Sequence, residues 1–284
     1  MEMAARPNLS AAFNTPSSAS TVQCRPETHG RRLPRLFGVG LWRYWFRQLE
    51  CKNLTGIPKD ATVADEFSSD QSNQRFRGLW SRCAKSEEKA RTADSVHELL
   101  TAHYSEPSRY YHSLGHLATC LRALDQAPGF ECERDAVELC LWFHDAVYVP
   151  GAADNEVRSA ELFRLWAEDA LHVAIVEKVA GFILLTDHRT EPPSEGGRYA
   201  VDIDLSSFGA DWDRFLEESR KVRAELPWVP DDEYFPAHIR FLNFLVKRPR
   251  IFYTDHFHAL YEARGRENIR RLIALIGAAG NLRD

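Results

Sequence analysis

The stretch HSLGHLATCLRALDQAPG, residues 112–129, decides what kind of chain this is. Leu114, Leu117, Leu121 and Leu124 recur at intervals of three, four and three, the spacing of one face of an α-helix. Pro128 and Gly129 stop the pattern. A helix with such a stripe has to bury it against other elements, so the next question is what those elements are.

Outward from this stretch the helical period repeats. SVHE at 95–98 reads as a capping box, with Ser95 as the cap and Glu98 reaching back, and that helix must end before Pro107. Val137, Cys140, Leu141 and His144 share the face of a second amphipathic helix. VRSAELFRLWAEDA after Asp154 reads as a third, and the nearly apolar HVAIVEKVAGFILL as a buried fourth. Trp212, Phe215, Leu216, Val222 and Leu226 mark another, closed by Pro227. Two more cover 232–248 and 256–277, with Gly265 as a candidate kink. No alternating strand pattern and no internal repeat interrupts the series, so the expected fold class is all-α, a helical bundle over 71–284.

Residues 1–70 read differently. The first thirty are rich in Ser, Ala, Pro and Thr without hydrophobic period, the composition of a disordered extension. RRLPRLFGVGLWRYWFRQLE at 31–50 is basic and aromatic and suits at most a weak helix. Its shortage of acids before Glu50 also fits an organellar targeting segment, beside the plainer reading of a flexible tail.

Composition narrows the function classes. The chain has 284 residues, 44% hydrophobic and 27% charged, the proportions of an ordinary globular protein. A net charge of −5 supplies no basic field for nucleic acid. No run approaches the eighteen or so apolar residues of a membrane span. The six cysteines show no CxxC pairing, which fits a reduced, intracellular and by default cytoplasmic chain without a thiolate metal site.

Chemistry enters with the histidines. On a helix His112 and His116, four apart, would share one face, and imidazole is the commonest protein ligand for transition metals. LCLWFHDAVY at 139–148 adds His144 and Asp145 at the end of an apolar helix, where a carboxylate is costly unless paired or metal-bound. A His-Asp hydrogen bond would answer the same need. VDIDLSSFG at 201–209 places Asp202 and Asp204 in apolar surroundings, about 200° apart on a helix, so only one can face a site.

The ordered series EPSRYYHSLGH, WFHDAVY, DNEVRSA, LLTDHR, DIDLSSFG, FLVKRPRIFYTDHF and EARGRENI resembles the HD-domain superfamily of metal-dependent phosphohydrolases, over residues 76–276. The nearer resemblance is to a family of uncharacterised predicted HD phosphohydrolases. It implies an HD-type helical domain with His116, His144, Asp145 and Asp204 as metal ligands, Asp202 being the fallback for the last. It also implies a divalent transition metal (Mn, Fe, Co, Ni or Zn) and a small phosphorylated substrate, a nucleotide among the candidates. By looser analogy with cyclic-nucleotide phosphodiesterases, His112 becomes the general acid; Ser113 and Gly115 depart from that pattern.

Three further candidates follow from position. Glu156 could hold a water at the metal, or could simply be an acid in the first turn of a helix. His188 could touch a second metal or the phosphate, or favour a helix C-terminus. Arg109 suits a phosphate oxygen as well as an ordinary ion pair. Asp145 or Glu156 could take the proton of an activated water. Arg220 and Arg223 read first as a solvated face, and Tyr110, Tyr111 and Tyr148 as packing. Two other classes stay open: a regulatory nucleotide- or metal-binding HD module without turnover, and a di-iron HD oxygenase.

Overall fold

A computed structural model describes residues 69–280. The expectations for residues 1–68 lie outside the described residues. Within them the chain is all-α, and its strand-like pairing is confined to one isolated bridge between Ala84 and Leu171. The helices run α1 (Ser69–Cys83), α2 (Glu87–Ala90), α3 (Ala93–Tyr104), α4 (Leu114–Gln126), α5 (Arg134–Phe143), α6 (Asn155–Ala167), α7 (Val173–Leu185) and α8 (Glu195–Asp204). A 3₁₀ turn (Leu205–Gly209) leads to α9 (Trp212–Ala224), α10 (Asp231–Lys247) and α11 (Asp255–Gly280). No helix among the described residues is long and apolar enough to cross a membrane.

Helix α5 is the centre of the bundle, because nothing on it from Ala136 to Phe143 is polar except Glu138. Leu139, Cys140, Leu141, Trp142 and Phe143 are fully buried, with α4, α7 and α8 packed around them. The leucine stripe of α4 behaves as its spacing requires: Leu117, Leu121 and Leu124 are buried and Leu114 is partly so. Removing one such side chain to Ala typically costs about 2–5 kcal/mol. Toward the other end Phe76 of α1 meets Trp142 edge-on at 5.0 Å between ring centres, which ties α1 to the core.

Two local expectations are corrected. α3 starts at Ala93, so Ser95 lies inside its first turn and is not the cap. The preceding Thr92 does not cap either; its hydroxyl accepts from Trp80 Nε1 at 3.0 Å and donates to the Lys89 carbonyl at 2.8 Å. Gly265 does not kink its helix, since α11 runs unbroken through it. A Cβ there would meet the Phe252 ring at 3.3 Å, so the glycine serves close packing. Gly209 does this more severely, because a Cβ would fall 2.4 Å from the Tyr261 side chain. The 3₁₀ turn thus lies tight on α11.

Candidate metal centre

Three helix ends meet at one point. His116 sits in the first turn of α4, His144 caps the C-terminus of α5, Asp145 follows it, and Asp204 is the last residue of α8. His116 Nε2 lies 3.2 Å from His144 Nε2, 3.1 Å from Asp204 Oδ1 and 3.7 Å from Asp145 Oδ2. His144 Nε2 is 3.0 Å from Asp145 Oδ2 and 3.5 Å from Asp204 Oδ1. Nitrogen and oxygen ligands about 2.0–2.2 Å from one cation stand about 3.0–3.5 Å from each other in octahedral or tetrahedral geometry. Four of the five separations fall within that spacing, and His116 to Asp145 is slightly longer.

The proton inventory points the same way. The Leu141 carbonyl, 2.9 Å from His144 Nδ1, can only accept, so Nδ1 carries the hydrogen. In the neutral ring Nε2 is then a lone pair, and it faces a second imidazole nitrogen and two carboxylates. Such a gathering of acceptors needs protons or a cation among them. Burial works against a charged His144, yet Asp145 and Asp204 outweigh it and hold its pKa well above the usual value. Both carboxylates are in turn held below the ordinary range, burial notwithstanding, chiefly by His144. The donor set therefore fits a divalent cation, and the residues that converge could hold one.

Asp202 is resolved by the same geometry. It is fully buried and accepts from the backbone N–H of Tyr253 (2.8 Å) and Thr254 (2.7 Å) and from the Thr254 hydroxyl (2.7 Å). It anchors the entry to α11, and Asp204 is the residue turned to the centre. Burial raises the Asp202 pKa to about 6.

His112 lies outside the helix expected for it. α4 begins at Leu114 with Ser113 in the capping position, so His112 belongs to the preceding loop. Its ring nevertheless comes within 6.2 Å of the His116 ring, centre to centre, and stacks on Tyr148 at 4.0 Å. Glu225, just beyond α9, holds it there. One oxygen accepts from the N–H groups of Tyr110, Tyr111 and His112 at 2.7–2.9 Å, and the other lies 2.6 Å from His112 Nδ1. Burial alone would lower the His112 pKa; Asp145, Glu225 and Asp204 together raise it. Its ring therefore sits at the edge of the candidate metal centre with its pKa raised.

The other candidates divide. His188 is brought in: its Nε2 is 3.0 Å from Asp204 Oδ2, and its backbone is left-handed (φ 58°), a region uncommon outside glycine that histidine enters more readily than most residues. Its carbonyl accepts from Arg248. Glu156, in the first turn of α6, lines the cavity beside the centre, and burial raises its pKa with Asp145 adding to the effect. Arg109, which by sequence suits a phosphate oxygen or an ordinary ion pair, is not part of the cavity wall and pairs with Glu106. Its guanidinium is buried and donates to the carbonyls of Asp145 (2.6 Å), Ala146 (3.1 Å) and His112 (3.3 Å) and to Glu106 (3.1 Å). It braces the loop that carries His112 against the segment that carries Asp145. Arg109→Lys should therefore lower the melting temperature, since one ammonium cannot reproduce the fork; a melting temperature equal to wild type would contradict this bracing role.

Arg220 is exposed, and Arg223 is committed to Asp231 and to the carbonyls of Leu226 and Val229. Tyr111 does more than pack, its hydroxyl meeting Ser207 Oγ at 3.0 Å and its ring lying 4.8 Å from the His116 ring. The cysteine spacing suggests no thiolate metal site, yet Cys120 Sγ is 3.6 Å from His116 Nε2 and forms a second candidate group with His116 and Asp204. Burial pushes its thiol well above the ordinary pKa, so N and O atoms stay the better ligands.

Beside the centre opens a cavity of about 300 Å³ whose wall includes His112, Asp145, Glu156, His188 and Asp204. No family model, no curated protein and no solved structure matches the chain.

Proposed function

We propose that the chain is a metal-dependent phosphohydrolase of the HD type, acting on a small phosphorylated substrate. The observation that carries this reading is the meeting of two buried histidines, His116 and His144, and two partly buried aspartates, Asp145 and Asp204, with a carboxylate-oriented imidazole at one cavity. His116, His144, Asp145 and Asp204 would hold a divalent transition metal (Mn, Fe, Co, Ni or Zn). Such an ion supplies Lewis acidity toward a phosphoryl oxygen and lowers the pKa of water to near neutrality.

The side chains then divide the proton work. Water oxygen forms a bond to phosphorus, and the bond from phosphorus to the leaving oxygen breaks with its electron pair. The leaving oxygen takes a proton from His112 Nε2, the nitrogen that Glu225 leaves free. The water's proton passes to Glu156, whose pKa is raised, rather than to Asp145, whose pKa is lowered. Products are inorganic phosphate and an alcohol, or two phosphorylated fragments from a diphosphate.

The test is a panel of phosphomonoesters, phosphodiesters and nucleotides, each assayed with protein reconstituted in Mn, Co, Fe, Ni or Zn. Turnover should vanish on chelation and return with metal. A fully metallated protein that turns over nothing, yet binds a nucleotide, would replace this reading with that of a regulatory module.

A further inference from the structure

The cavity carries a charge pattern that bears on the substrate. Five carboxylates line it: Asp145, Glu156, Asp187, Asp204 and Glu218. Among the described residues of its wall there is no Lys and no Arg. Asp145 and Asp204 are answered by the cation they would hold and Glu218 by Arg214, while Asp187 has only Arg189 at 3.9 Å and Glu156 has no ion pair among the described residues. Sites that handle polyphosphates place Lys, Arg or extra metal ions along the phosphate chain. Here the nearby guanidiniums are turned elsewhere. Arg214 pairs with Glu218, and Arg248 reaches the His188 carbonyl while stacking on Phe244 at 4.5 Å. Each phosphate beyond the first would bring negative charge against these acids.

The rest of the wall describes the body of the ligand. Phe208, Phe215, Val222 and Phe241 form an apolar side. At about 300 Å³ the space lies at the small end of ligand sites. Glu218 interrupts the apolar side in a specific way. Arg214 Nε fixes its Oε1 at 3.0 Å, while Oε2 is buried and has no hydrogen-bond partner. A buried carboxylate oxygen without a donor is costly, and a ligand N–H or O–H would remove the cost.

We infer that the cavity selects monophosphate esters over di- and triphosphates, with a compact apolar or aromatic body that offers one hydrogen-bond donor to Glu218. The inference rests on the phosphohydrolase reading. The reaction is the hydrolysis already described: the ester P–O bond breaks, a water P–O bond forms, and inorganic phosphate leaves with the free alcohol.

The experiment uses the full chain reconstituted with metal and two substrate series. In the first, one nucleoside is offered as its 5′-mono-, di- and triphosphate, and kcat/KM for the monophosphate should exceed that for the triphosphate about 100-fold or more. In the second, phenyl phosphate is compared with its three amino-substituted isomers. One isomer should be preferred about tenfold or more, and Glu218→Ala should collapse that preference. Because the preference is a ratio within one protein sample, partial loss of folded protein cancels. A triphosphate handled as well as the monophosphate overturns the inference and leaves the phosphohydrolase reading standing. So does the absence of any preferred isomer, or a preference that survives Glu218→Ala. No turnover of any ester in either series removes that reading and this inference together.

Discussion

In His112→Ala, kcat for an unactivated phosphoester should fall about a hundred- to ten-thousand-fold, the usual worth of a general acid, while metal content stays at the wild-type level. The expectation comes from where the ring is held. His112 is none of the converging ligands: its ring centre is 6.2 Å from that of His116, and its Nδ1 is engaged by Glu225. What it offers the cavity is Nε2 and a raised pKa. The loss should shrink with a nitrophenyl ester, whose leaving group departs without a proton. The sign with pH follows from the acid form being the active one. Above its raised pKa His112 loses the proton, so the wild-type rate falls on the alkaline side, and His112→Ala should lack that limb. If the variant loses its metal, His112 is a ligand and the role is misassigned.

The second large effect is expected at Glu225, where two substitutions separate structure from chemistry. Glu225 is almost wholly buried, and one of its oxygens serves three successive backbone N–H groups of the loop that carries His112. Glu225→Ala leaves those donors without partners in the interior, at about 1–3 kcal/mol each before relaxation. A sharp fall in melting temperature is the expected result. Glu225→Gln keeps an acceptor for the loop but removes the negative charge beside His112. It should fold, and the alkaline limb of its rate profile should move to lower pH, because one of the groups that raise the His112 pKa has gone. An unmoved limb in a folded Glu225→Gln protein would mean that Glu225 serves the loop alone.

Much of this architecture was legible because it depends on period. The stripe Leu117, Leu121, Leu124 and the apolar run through Trp142 and Phe143 define α4 and α5 without further information. His144, Asp145 and the Asp202–Asp204 pair were legible because carboxylates and imidazoles in apolar sequence demand a partner. What sequence could not show was how chain ends are tied. His112 was placed on a helix because its spacing to His116 allows it; Ser113, a residue type suited to a helix N-cap, was the available sign that the helix starts later. Arg109 suited a phosphate oxygen as well as an ion pair because nothing local reveals that the Asp145 and Ala146 carbonyls, 36 and 37 positions away, will claim it. Glu225 escaped notice although an acid just beyond a helix C-terminus opposes the helix dipole. That mismatch is a signal that such a side chain answers to something elsewhere in the fold. The choice between Asp202 and Asp204 required the entry to α11, which no single segment contains.

The central claim is that His116, His144, Asp145 and Asp204 together hold a metal ion. Elemental analysis of protein purified without chelator tests it most directly, with wild type beside His144→Ala, Asp145→Ala and Asp204→Ala, each verified as folded. Wild type should carry at least one divalent transition metal ion per chain, and the three variants close to none. Full metal content in folded His144→Ala and Asp145→Ala, or a metal-free wild type that takes up no Mn, Fe, Co, Ni or Zn on reconstitution, would contradict it.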